Sequence, residues 1–274
     1  MKNLQIKKTI PKYLPLYILT IAIMFVMRNF SRITDSDAYI WILASTARWV
    51  SVLSGISFEY LPHEGYINRF YRFLIAPSCS GIRFMLLTFV MLIFSFLHQI
   101  KSVRKGYLWF CLSAILSYLL TIFVGGIRIV VSIYLPDVLE NLGFMNGWLT
   151  PDRLHTMIGA SIYFTSLCII YPVAAAICQR VFIKSFDKLP SPSPDTASPY
   201  LFLPVIPAFW YLLTVLAIPC LGRVITKDWE GVGQYAALIF CVSLAVSTLL
   251  YLTGRFLRRK IKQKGGVSNT RSRP

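Results

Sequence analysis

The sequence has few charged residues for its length. Only 14% of its 274 residues are Asp, Glu, Lys or Arg, whereas soluble domains average about 25%. Hydrophobic residues make up 56% of the chain, and the mean hydropathy is +0.61. This composition argues against a soluble globular fold and predicts a membrane protein built from several apolar spans.

Acidic residues are scarcest, with 11 Asp and Glu against 28 Lys and Arg, and the formal net charge is +17. Nucleic-acid-binding proteins can be this basic, but they concentrate the charge on one soluble face. Here the basic residues form short clusters between apolar runs, which is the pattern of membrane topology signals. We therefore expect contact with membrane lipids and no nucleic-acid partner.

The sequence also lacks a cysteine pattern for metal or disulfides. Six cysteines occur, and none forms a CxxC pair. Five of the six lie in apolar stretches, where a cysteine is usually a small buried hydrophobic residue. We expect no metal, no disulfide framework and no cofactor.

Apolar runs of about 20 residues, the length that crosses a bilayer, indicate about six spans. They cover residues 13–30, 74–97, 107–128, 156–178, 200–221 and 233–253. The first lacks a small-residue cleavage site, so it is interpreted as an uncleaved span. The two tails and residues 98–106 and 179–199 carry 18 of the 28 basic residues, so they are predicted to face the cytoplasm of a bacterial inner membrane.

Residues 39–75 do not fit this pattern of spans. Residues 39–56 are apolar but carry Arg48 near the middle, and counting them as a span would invert every later helix. They are interpreted as an interfacial amphipathic helix. Residues 57–75 contain two aromatic-rich runs around a Pro-His-Glu-Gly turn, which predicts a β-hairpin on the outer side. The predicted fold is an all-α polytopic membrane protein with these two elements before the helix that carries Cys79.

Composition divides the chain into three predicted parts. Residues 1–180 form a membrane core, with the candidate motifs between 77 and 159. The Ser/Pro-rich residues 181–199 are a cytoplasmic linker, and residues 200–274 form a two-helix extension with a basic tail. Arg223 and Lys227, in an outer loop, are either contacts for acidic substrate residues or simply solvated charges.

Three polar side chains are predicted at one depth. Counted from the cytoplasmic end of each span, Cys79, Arg128 and His155 lie about 27, 31 and 35 Å along their helices. A hydrocarbon core of about 30 Å puts all three at the outer interface. Taken singly, the cysteine can simply pack, the arginine can extend its head to the surface, and the histidine can make one interfacial hydrogen bond.

The stretch PSCSGIR places Cys79 at a predicted helix start, where the helix dipole favours an anion. Arg83 follows at i+4, and both effects stabilise a thiolate. The backbone N–H groups of Ser80 and Gly81 are candidate oxyanion donors. Considered jointly, a thiolate, an imidazole and a guanidinium are the components of cysteine acyl-transfer chemistry.

The motifs PSCSGIR (77–83), GGIRI (125–129) and HTMIG (155–159), in this order, resemble the exosortase/archaeosortase family over residues 40–180. The resemblance implies Cys79 as nucleophile, Arg128 as the active-site arginine and His155 as the general acid/base. Many members carry Asn where this chain has Gly125, which leaves the subclass and the substrate motif open.

The resemblance also implies a membrane transpeptidase or protease. Its substrates would be membrane-anchored exported proteins with a C-terminal sorting signal, which comprises a short motif, a transmembrane helix and a basic cluster. The product would pass to an amine, lipid or polysaccharide acceptor. The alternatives are a small transporter or scaffold that binds an anion at Arg128, and a lipid-modifying enzyme, which would leave Cys79 without a task.

Overall fold

The computed structural model is mostly helical and describes residues 2–33, 36–70, 73–144, 149–183, 205–217 and 232–268. The chain divides into two compact units, Met1–Phe186 and Asp187–Pro274. Four helical stretches within the described residues are long and apolar enough to cross a membrane: Pro77–Gln99, Val103–Asn141, Arg153–Phe182 and Gly233–Thr253. The molecule therefore has the helix content and the apolar spans of an all-α membrane protein.

The described part of the first unit contains five α-helices, of which the third is the most buried. They are α1 (Lys2–Ile33), α2 (Ile40–Ser54), α3 (Ile82–Phe96), α4 (Val103–Asn141) and α5 (Pro151–Ile177), which a π-helical segment extends over Cys178–Ile183. The most apolar stretch of α3 is 72% buried, against 39% for α4 and 28% for α5. The uninterrupted apolar sequence of α3 fits this position, because a helix that is hydrophobic all round is buried on every side.

One end of the unit brings α1 against the connection between α3 and α4. The Tyr13 hydroxyl contacts the carbonyl oxygens of Ile100 and Ser102, each at 3.0 Å. Lys12 donates to the carbonyl of Lys101. Gly106 leaves room for the Tyr13 ring, since a Cβ there would lie 2.4 Å from it. The basic start of α1 and the basic connection 98–106 therefore lie at the same end.

The predicted hairpin region holds a three-stranded antiparallel sheet rather than two strands. Its strands are β1 (Glu59–Leu61), β2 (Gly65–Asn68) and β3 (Phe73–Ile75), in that order. The Asp37 carboxylate, just before α2, holds the turn after β1. It accepts hydrogen bonds from the Tyr60 hydroxyl at 2.5 Å and the His63 backbone N–H at 3.0 Å. The Tyr60 hydroxyl, foremost, and then the His63 N–H lower the pKa of Asp37, while the carboxylate raises the pKa of Tyr60 to about 12.

The segment 39–56 forms a helix, α2, but it does not lie as an interfacial helix would. Its contacts with α4 advance in the same direction along both helices: Trp41 with Tyr118, Trp49 with Phe123, and Ser54 with Tyr134. A helix in the membrane plane would cross a spanning helix at a large angle, whereas α2 runs alongside α4. The interfacial interpretation does not fit this packing. Arg48, the residue that led to the interfacial interpretation, is exposed on the surface of α2.

The second unit contains α6 (Val205–Leu212), which a π-helical segment extends to Ala217, and α7 (Val232–Ser268). The predicted spans 13–30 and 200–221 coincide with shorter apolar helical stretches, Lys12–Met27 and Val205–Ala217. Most of the predicted linker, from residue 184 onward, lies outside the described residues, as do Arg223 and Lys227.

Candidate active site

Arg128 lies on α4 and is buried, with 8% of its surface exposed. Its guanidinium forms two side-chain hydrogen bonds to α5. Nη2 lies 2.5 Å from Nε2 of His155, and Nη1 donates to the Tyr163 hydroxyl over 3.2 Å. The guanidinium carbon also lies 5.4 Å from the centre of the Tyr163 ring, within cation–π range. The structure thus brings the predicted arginine and histidine into direct contact.

Three residues of α5, at successive turns, form the surface that receives the guanidinium. His155, Gly159 and Tyr163 are spaced at i, i+4 and i+8, which places them on one face of the helix. A Cβ at Gly159 would lie 3.2 Å from Nε of Arg128, so the missing side chain makes room for the cation. Sequence reasoning missed Tyr163, although its spacing from His155 is a signal that was available.

The hydrogen bond between Arg128 and His155 fixes the protonation of the imidazole. A guanidinium has only N–H groups and cannot accept a hydrogen bond, so Nε2 of His155 must be the acceptor. The ring is then neutral, with its proton on Nδ1. The resting arrangement thus holds a basic nitrogen directly against a fixed cation.

Among the side chains that the structure describes, to which that of Asp152 does not belong, the charge of Arg128 has no carboxylate partner. No Asp or Glu oxygen there lies within 4.0 Å of the guanidinium, and its buried Nε has no hydrogen-bond partner. A buried cation is unfavourable unless it is paired, so this site is suited to an anion or to a developing negative charge. Within the same residues, no three His, Cys, Asp or Glu side chains come together to hold a metal ion.

Cys79 lies in the first turn of the spanning stretch Pro77–Gln99, but it does not belong to the regular helix α3, whose first turn the sequence predicted for it. It ends a separate 3-10 turn, Pro77–Cys79, and α3 begins only at Ile82. Gly81 lies between them with φ +71°, a left-handed conformation that glycine adopts readily. Cys79 therefore does not lie at the N-terminus of α3, so the dipole of α3 does not stabilise its thiolate in the way that the sequence predicted.

The N–H of Ser80 is not available as an oxyanion donor in this structure, because it donates to the carbonyl of Pro77 over 3.1 Å. The N–H of Cys79 likewise donates to Ala76 over 2.8 Å. Arg83 is exposed, whereas Cys79 is 6% exposed, so the predicted i, i+4 pair on one face is wrong. The break in the helix at Gly81 is the physical reason.

The residues that follow Cys79 approach the group formed by Arg128, His155 and Tyr163. A Cβ added at Gly81 would lie 3.3 Å from the Tyr163 hydroxyl, the same atom that accepts from Arg128. Cys79 also belongs to a buried hydrophobic cluster that includes Ile129, the residue after Arg128. In the described part of the chain, the thiol makes no hydrogen bond to Arg128. The structure therefore joins Arg128 and His155 directly and places Gly81, two residues after Cys79, beside Tyr163.

Comparison of the chain with family models, with curated proteins and with solved structures found no match. The exosortase-like interpretation therefore depends on the three motifs and on the geometry described above.

Proposed function

We propose that this chain is an integral-membrane cysteine transpeptidase or protease. The observation that supports it best is the buried guanidinium of Arg128, which contacts a neutral His155 and no carboxylate among the described side chains. A preorganised cation of this kind stabilises the negative charge that forms on a carbonyl oxygen during acyl transfer. The turn that carries Cys79 lies beside the same group of side chains.

In the first step, Cys79 forms a thioester with the substrate. The substrate carbonyl oxygen draws the guanidinium of Arg128 away from His155, which frees Nε2. Nε2 takes the thiol proton while the sulfur bonds to the carbonyl carbon, and Arg128 holds the resulting oxyanion. The C–N bond then breaks, and His155 returns the proton to the leaving amine.

In the second step, an acceptor releases the acyl group. An amine, or water, attacks the thioester carbon, and Nε2 of His155 removes its proton. The C–S bond breaks, and the proton returns to the Cys79 sulfur, which restores the thiol. Transfer to an amine gives transpeptidation, and transfer to water gives hydrolysis. A single arrangement of residues therefore serves both outcomes.

The substrate class follows from the family resemblance and from the membrane setting. We propose an exported protein held by its own C-terminal transmembrane helix, whose scissile bond lies at a fixed depth near the outer surface. Anchoring reduces the search to two dimensions and aligns the reacting groups. The charge distribution supports cytoplasmic termini and an outward-facing site in a bacterial inner membrane.

The test is co-expression in a bacterial host with a candidate substrate that carries a sorting signal. Cys79→Ala is expected to abolish processing, and Arg128→Ala and His155→Ala are expected to lower it by at least about 100-fold. Cys111→Ala is the matched control, because Cys111 is an exposed cysteine on α4 outside the site. Processing is followed by the shift in substrate mass.

Full processing by a stably inserted Cys79→Ala protein would overturn this mechanism. Equal loss in Cys111→Ala would show that cysteine replacement acts through stability instead.

A transporter that binds an anion at Arg128 is the second candidate, and one observation favours it. Buried hydroxyls line the same helix on the cytoplasmic side of the arginine: Ser113, Ser117 and Thr121. Ser117 and Thr121 donate to carbonyls one turn back in α4, which satisfies them without an ion. Anion uptake into vesicles that persists in Cys79→Ala but is lost in Arg128→Ala would support the transporter.

A further inference from the structure

A small cavity opens between α4 and α5, next to the proposed catalytic pair. Its volume is about 260 Å³. Its lining is Ser132 and Pro136 from α4, and Pro151, Leu154, His155 and Ile158 from α5. Ser132 follows Arg128 by one helical turn, and His155 contacts both Arg128 and the cavity. The cavity therefore adjoins the site where the proposed chemistry takes place.

Ser132 carries polar groups that the helix does not satisfy. Its hydroxyl is buried and has no hydrogen-bond partner, and the residue is 8% exposed. Pro136, four residues later, has no N–H to donate to the Ser132 carbonyl, as a residue at i+4 in a helix normally does. A donor and an acceptor thus occur together on one residue at the wall of the cavity.

The rest of the lining that the structure describes disfavours a second positive charge next to Arg128. Pro136, Pro151, Leu154 and Ile158 are apolar, and His155 is neutral when it accepts from Arg128. Mostly apolar walls with a few polar groups are typical of ligand sites, and drug-sized ligands usually occupy about 300–1,000 Å³. A cavity just below that range fits one or two small side chains and not a long ligand.

From these features we infer that this cavity, which we call the Ser132 pocket, binds a small apolar residue of the substrate next to the scissile bond. The inference rests on the proposed function. The Ser132 hydroxyl donates to a backbone carbonyl of the substrate, and its own carbonyl accepts a backbone N–H. The side chain lies between Pro136, Leu154 and Ile158. Lysine at this substrate position would bury a second positive charge beside Arg128 without a partner.

The test uses a photoreactive tripeptide and the full chain in lipid nanodiscs. The probe is acetyl-Ala-photoleucine-Ala amide, and cross-linked peptides are mapped by mass spectrometry. We expect cross-links within residues 132–136 and 151–158, with competition by acetyl-Ala-Val-Ala amide and none by the Lys analogue. Ser132→Ala should lower the yield about five- to tenfold through loss of one hydrogen bond. Ser113→Ala removes another buried hydroxyl of α4 and should leave the yield unchanged.

Cross-links elsewhere, or a yield unaffected by Ser132→Ala and by the pocket-filling Ser132→Leu, would overturn the inference. Ser132→Ala adds no atoms, so it keeps the test valid if Ser132→Leu fails to fold. A separate measurement isolates the proposed function: labelling of Cys79 by acetyl-Ala-Val-Ala chloromethyl ketone. Cross-links in the pocket without such labelling would retain the pocket and reject the thiol enzyme. Labelling of Cys79 at equal rates in the wild-type protein and in Ser132→Leu would retain the thiol enzyme and reject the pocket.

Discussion

At the scale of single residues, Tyr163 explains how a buried cation is held between three helices. Its hydroxyl accepts from Arg128 of α4, and its ring stacks on Phe84 of α3 at 4.6 Å and 14°. The same hydroxyl lies against Gly81, two residues after Cys79. Tyr163 therefore fixes the guanidinium relative to the turn that carries the thiol, and we regard it as a positioning residue.

Tyr163→Phe should separate this role from packing. The ring stack is kept, while a hydrogen bond to a charged group, worth about 1.5–3 kcal/mol, is lost. We expect the processing rate to fall about 10- to 100-fold, with a thermal midpoint that is lowered but stays well above the assay temperature. Tyr171→Phe, on the same helix, removes a hydroxyl outside the site and should leave the rate unchanged. A midpoint that falls to the assay temperature would show that Tyr163 acts through stability.

The prediction for Arg83 failed at this scale for a local reason. Spacing at i+4 brings two side chains onto one face only if the helix is continuous between them. The left-handed Gly81 breaks that continuity, so Cys79 turns inward while Arg83 stays exposed. A glycine in a short polar stretch before a span was the available sign of this break.

At the scale of elements, α2 and α4 pack closely because of one glycine in GGIRI. A Cβ at Gly126 would lie 2.3 Å from Cδ1 of Trp49, and the Trp49 indole N–H donates to the Phe123 carbonyl over 3.3 Å. Gly125, its neighbour, has no atom within 4 Å of such a Cβ. The two glycines therefore differ in role although the sequence pairs them.

Replacing each of these glycines with alanine gives a matched pair of variants that tests the packing of α2 on α4. Gly126→Ala should displace Trp49 and destabilise the unit by about 1–3 kcal/mol, as overpacking does. Gly125→Ala should be neutral or slightly stabilising, because alanine is the better helix former by about 1 kcal/mol. Thermal unfolding in detergent and the fluorescence of Trp49 measure both effects. Equal destabilisation by the two variants would contradict the packing of α2 on α4.

The long apolar elements were predictable, and the short ones were not. The helices α3, α4 and α5 follow from runs of apolar residues, which need only length and composition. The third strand, β3, was missed because pairing depends on a partner strand as well as on its own residues. The orientation of α2 depended on its contacts with α4, which periodicity does not reveal.

At the scale of the whole molecule, the two ends of the first unit differ in chemistry. The end near Tyr13 carries the basic connection 98–106, and the Arg128–His155 pair lies about 38 Å along α4 from Val103, at 1.5 Å per residue. Basic connections normally stay in the cytoplasm. This separation is consistent with the proposed outward orientation of the candidate site.

Cysteine labelling can test that orientation. Cys79 is too buried to serve as the reporter, so exposed positions are better. Glu64→Cys, in the turn of the sheet, should react with a membrane-impermeant maleimide in intact cells. Lys101→Cys, in the basic connection, should react only after the membrane is permeabilised. The reverse pattern would invert the topology and place the site in the cytoplasm.

The sequence by itself determined the class of protein, because low charge and long apolar runs are properties of composition. It also identified Cys79, Arg128 and His155, since polar residues at span ends are visible without coordinates. Only the tertiary structure decided how they are arranged. It paired Arg128 with His155, placed the Tyr163 hydroxyl against the guanidinium, and separated Arg83 from the thiol. Those outcomes depend on which faces of α3, α4 and α5 pack together, and that packing is set by contacts between residues far apart in the chain.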